Sequence, residues 1–80
     1  MNLTGSWIRE DNKTEYIFLG NMDVMIYPKD GSVHKLRYEI KPDREFPKLI
    51  LDKKEFLIIA PTEKMFHLAT NKGIITFKKI

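Results

Sequence analysis

Cysteine is absent from this 80-residue chain. That excludes disulfides, thiolate nucleophiles and zinc–sulfur sites together. Domains of this size that work outside the cell commonly carry disulfides, so the absence leans toward a reducing, cytoplasmic interior. The first residues, Met1-Asn2-Leu3, run straight into Thr4-Gly5-Ser6-Trp7 with neither a basic n-region nor an apolar h-region. The sequence therefore carries no signal-peptide pattern. No apolar run approaches the ~20 residues of a helical membrane span. No stretch keeps a helical period.

Chemistry-bearing groups are equally sparse. His34 and His67 are the two histidines, each at a strand position, where a hydrogen-bonded histidine is expected; a metal would need further ligands converging from other strands. Glu10, Asp11 and Glu15 gather in one loop, and Asp43 with Glu45 in another. Carboxylates do acid–base work when burial splits their pKa values, and loop positions leave them in water. Ser6, Ser32, Thr62 and Thr70 have no histidine at a suggestive spacing. The expectation is a non-enzymatic protein without cofactor or metal.

What the sequence has in quantity is turn punctuation, recurring every eight to ten positions around short stretches rich in β-branched and aromatic residues. Such spacing predicts an all-β fold of short antiparallel strands. The expected strands cover 5–9, 14–19, 23–27, 32–40, 48–52, 56–60, 65–69 and 74–78. Between them stand Gly20-Asn21, Pro28-Lys29-Asp30-Gly31, a longer loop bounded by Pro42 and Pro47, the turn Lys53-Lys54-Glu55, Pro61, and Asn71-Lys72-Gly73. Strand 32–40 is the clearest: His34, Leu36, Tyr38 and Ile40 alternate with Val33, Lys35, Arg37 and Glu39. Sequential strands usually pair, and a meander of eight closes into a barrel because closure removes both edges. The 80 residues are read as a single small β-barrel domain. Hydrophobic residues make up 42% of the chain, enough for one core.

Gly5-Ser6-Trp7 forms a G-x-W motif leading into the first strand. Together with the eight-strand meander, it resembles the first signature of the lipocalin-like, or calycin, β-barrels. The resemblance implies that Gly5 lets the chain pass close beneath the barrel and that Trp7 plugs its base. A basic side chain of the last strand, Lys78 or Lys79, would lie over the indole. No T-D-Y triplet follows, and no Arg stands in the last strand. The family also implies carriage of a small hydrophobic ligand. Here that would need a cavity of at least ~300 Å³, with Tyr16, Phe18, Leu36, Tyr38 and Ile58 as its expected lining. Eight short strands enclose a space that side chains can fill. Trp7, Phe56 and Phe77 are large enough to help fill it.

The leading expectation is a binding or accessory protein that uses its outer surface on another protein or its own copy. Interfaces favour aromatics, Met and Arg, and Tyr27, Arg37, Phe46, Ile59 and Phe66 fall on or near the faces expected outside. Phe66 is also large enough to serve as core. Met25 is expected to be partly exposed and Met65 to fill core. Phe56–Ala60 is apolar on both faces, so its outer side needs cover from the 42–47 loop or a second protomer.

Charge supplies a third reading. Residues 1–40 hold five Lys/Arg against six Asp/Glu, and residues 41–80 nine against five. Nucleic-acid binding through this basic half requires Lys53, Lys54, Lys72 and Lys78 on one surface with aromatics between them. Lysines also guard the faces and edges of β-proteins against association, and interspersed acids favour that second role.

Overall fold

The computed structural model describes residues 1–80. It is a closed antiparallel barrel without helix, each strand pairing with its sequence neighbours and the last with the first. The strands are β1 (Gly5–Arg9), β2 (Glu15–Phe18), β3 (Asp23–Tyr27), β4 (His34–Lys41), β5 (Lys48–Leu51), β6 (Lys54–Ile59), β7 (Met65–Thr70) and β8 (Gly73–Lys79). Period-two alternation decides which side chains enter: Trp7, Tyr16, Phe18, Val24, Leu36, Tyr38, Leu49, Ile58, Phe66, Leu68 and Phe77 turn to the axis and form or line one core.

Local chemistry sets the turns. Asp52 and Lys53 both take positive φ, 47° and 72°, the geometry of a two-residue primed hairpin between Leu51 and Lys54. The turn thus lies one residue upstream of the Lys53-Lys54-Glu55 expected from sequence, and Lys54 and Glu55 belong to β6. Asn21, Asp30 and Thr62 cap their own loops: their side-chain oxygens accept from the backbone N–H of Asp23, Ser32 and Met65.

Aromatic rings fill the interior as a connected series. Trp7 meets Phe66 edge-on at 4.7 Å, Phe66 stacks on Phe77 at 4.8 Å, and Phe77 meets Tyr16 edge-on at 4.9 Å. Tyr16 lies near Phe18 at 6.3 Å, and Phe18 meets Tyr38 edge-on at 4.9 Å. The Tyr38 hydroxyl donates to the Leu19 carbonyl (2.8 Å), so the ring's polar tip is satisfied.

Leu3 and Trp7 close one end. Trp7, 2% exposed, donates its Nε1–H to the Leu3 carbonyl at 2.8 Å. Lys79 of β8 lies over the indole, Nζ 4.9 Å from the ring centroid, and donates to the Thr4 carbonyl at 2.9 Å. Gly5 has φ +123°, and a Cβ there would collide with Lys79 Nζ. A glycine at this point thus gives both the backbone angle and the room for the lysine. Of the two expected cations, Lys79 takes the position over Trp7; Lys78 points outward to Glu10.

Phe66 corrects one expectation. It is fully buried, not part of an outer surface, because β7 begins with Met65 outward, which turns Phe66 and Leu68 to the axis opposite Phe77 and Ile75. Met65 is half-buried on the outer side rather than in the core.

Replacing Trp7 by Ala should cost about 3–5 kcal/mol, most of a small domain's stability. The thermal transition should fall by tens of degrees or vanish. Lys79→Met keeps the alkyl cover and loses the charged hydrogen bond, so it should cost only about 1–2 kcal/mol. Equal losses for the two variants in calorimetry would contradict the roles assigned here.

Candidate binding surface

The five side chains expected to line a ligand cavity, Tyr16, Phe18, Leu36, Tyr38 and Ile58, all face inward, where they meet the core and one another. The aromatic series occupies the space between them. Two hollows open at the surface instead, and of the five residues only Tyr38 borders one of them. One, of about 310 Å³, is an outer groove beside Met22, Arg37, Glu39 and Ile50. The other, of about 980 Å³, opens at the barrel end away from Trp7, between the tips of the β5–β6 and β7–β8 hairpins.

The remaining residues expected outside divide between two faces. Tyr27 is exposed at the end of β3 opposite Glu15, and Arg37 is exposed on β4, where its guanidinium donates to Asp23 Oδ1 (3.2 Å) and the Asn21 carbonyl (3.1 Å). Phe46, 39% exposed, lies ahead of β5, and half-buried Ile59 ends β6. The Ile58 N–H donates to the Pro47 carbonyl at 2.8 Å, extending the β5–β6 ladder by a rung and bringing the 46–47 segment level with the end of β6.

Ile59 there joins neighbours that the sequence reading did not single out. Across the outer faces of β6, β7 and β8, register aligns Leu57 with Ala69 and Ile74, and Ile59 with His67 and Thr76. Leu57 is 38% exposed and Ile74 59%. His67 shares a 2.8 Å hydrogen bond with Thr76 Oγ1 in the second row. The available signal was the two-sided apolar run of β6; Ile74, at the margin of an expected strand, gave none.

Charges lie around this face without forming a single-sign stripe. Glu10 accepts from Lys78 (2.6 Å) and Lys13 (3.0 Å). The hydrogen bond from Lys78, then that from Lys13, holds the Glu10 carboxyl below its usual range. Asp11 is likewise held down by Arg9, whose guanidinium grips both its oxygens at 2.6 and 2.9 Å and is itself raised by that contact. Asp30 is lowered by the Ser32 hydroxyl and backbone N–H. Lys53, Lys54 and Lys72 share the barrel end away from Trp7, but Lys78 stands apart, bound to Glu10. The exposed aromatics Tyr27 and Phe46 lie on β3 and ahead of β5, not between these lysines.

Comparison with family models, with curated proteins and with solved structures finds no match to this chain.

The pH dependence follows in sign from the lowered carboxyls. A depressed folded-state pKa contributes stability above the unfolded value, 4.5 for Glu10, and that stability is lost as pH falls through the folded value. The melting temperature should therefore decline on acidification below that value. Glu10→Gln should lower the neutral-pH melting point slightly and flatten the decline by the same increment, so that variant and parent converge in acid; an unchanged acid limb in the variant would contradict the Lys78 tie.

Proposed function

We propose that this protein is a non-enzymatic binding or accessory barrel that acts through its outer surface on another protein or on its own copy. The carrying observation is the outward apolar strip of exposed Leu57 and Ile74 with half-buried Ile59 and Ala69, beside Phe46. Contiguous apolar surface of this kind is rare on monomers unless a partner covers it. A filled interior supports the same reading, since chemistry or carriage inside the barrel has no space among the six rings.

We also infer kinship with the lipocalin-like barrels. Gly5 at positive φ, the buried Trp7 and Lys79 over its indole support it. On that reading the chain keeps the family's closed end and uses its outside rather than its inside.

Leu57→Lys with Ile59→Lys tests the strip. Both side chains point outward, so the pair should cost stability only modestly, about 1 kcal/mol in all. In sedimentation velocity up to millimolar protein, or in cross-linking with an identified partner, association should be lost in the double variant and kept in Lys35→Glu on the far face. Association that survives the double variant would remove the strip from the function.

A further inference from the structure

The barrel wall parts at one seam. The β6–β7 ladder has three rungs, Leu57↔Ala69, Ile58↔Leu68 and Ile59↔His67. Yet β6 continues to Lys54 in register with β5, and β7 stays paired with β8 to Thr70↔Gly73. Past Leu57 the two hairpins diverge, and the cleft of about 980 Å³ lies between them. Lys54, Glu55 and Phe56 form one wall, and the β7–β8 hairpin forms the other.

Alternation gives this opening a main-chain character. Ile58 donates toward β5, to Pro47, so Leu57 and Ile59 direct their backbone groups to β7 and Phe56 directs its own to β5. Glu55 therefore turns its N–H and C=O into the gap, where no rung meets them. Those free N–H and C=O groups at the end of the strand edge are a point where an extended segment can add. Half-buried Phe56 and Ile75 give the cleft an apolar floor.

Charge indicates what kind of segment fits. Arg9 is held by Asp11, and Glu55 has Lys48 at 3.7 Å. Lys54 and Lys72, facing each other across the gap, have no ion pair. We propose that the gap between the β5–β6 and β7–β8 hairpins captures an extended, acidic segment of a partner protein, which bonds to the Glu55 backbone and sets its carboxylates on Lys54 and Lys72. This deepens the reading of the protein as a protein-binding barrel and rests on it. A second copy fits poorly, because the edge it would present is the same gap with the same two lysines.

The test uses the full chain, labelled with nitrogen-15, and an end-blocked hexapeptide of alternating valine and aspartate. A valine–lysine hexapeptide and dodecanoate serve as comparisons. The acidic peptide should shift the amides of Glu55, Phe56 and residues 70–74 and slow exchange of the Glu55 amide by about tenfold. Lys54→Glu with Lys72→Glu should weaken it by about tenfold. Glu55→Pro removes a donor that no native rung uses and should weaken it similarly; should that variant unfold, the charge-reversed pair decides. Equal binding of the lysine peptide, no shifts from either peptide, or the same shifts from dodecanoate alone would overturn the proposal. Leu57→Lys with Ile59→Lys separates the two readings: the cleft should still bind the peptide in that variant, whether or not the strip serves association.

Discussion

One contact joins the two ends of the chain: Lys79 reaches from the last strand over Trp7 of the first and donates to the Thr4 carbonyl. It fastens the seam where the first and last strands meet. A meander of short strands gains from closure only if its first and last strands stay together, because each would otherwise leave an edge in water. The β1–β8 register from Trp7↔Lys79 to Arg9↔Phe77 is short, and this contact fastens its end. Gly5 makes the approach possible, and Leu3 and Trp7 seal the barrel beneath it.

Closure with strands this short leaves a narrow interior, and bulky rings occupy it. That filling stabilises the fold through buried apolar area, at roughly 25 cal/mol per Å². An eight-strand barrel with longer strands and smaller inward residues has room for a ligand; here Trp7, Tyr16, Phe18, Tyr38, Phe66 and Phe77 meet ring to ring along the axis. On the proposed reading, the polar termini of the strands and the outer rows of β6 to β8 are where another molecule is met.

How far the sequence reveals this varies with the physics involved. Alternation in strand 32–40 and the Pro28–Gly31 turn are properties of the local chain, and the strand order follows from them. The Gly5-Ser6-Trp7 motif located the closed end. Phe66 was misread because Met65-Phe66-His67-Leu68-Ala69 is apolar at nearly every position, so its phase is set by pairing with Phe77 rather than by its own pattern. The hairpin at Asp52-Lys53 was displaced because neither residue is glycine or asparagine, though both adopt positive φ. Parting of the β5–β6 and β7–β8 hairpins arises from how neighbouring hairpins of one barrel diverge in space, and no residue pattern announces it.

Native-state amide hydrogen exchange tests the closure most directly. If the Lys79–Trp7 contact holds the barrel shut, the amides of Ile8 and Lys78, which alternation aims across the seam between the Glu10–Thr76 and Ile80–Ser6 bonds, should exchange only through global unfolding, with the same free energy as those in the β7–β8 ladder. Faster exchange confined to β1 and the end of β8, at a cost well below the global value, would show the seam opening on its own and would contradict the account.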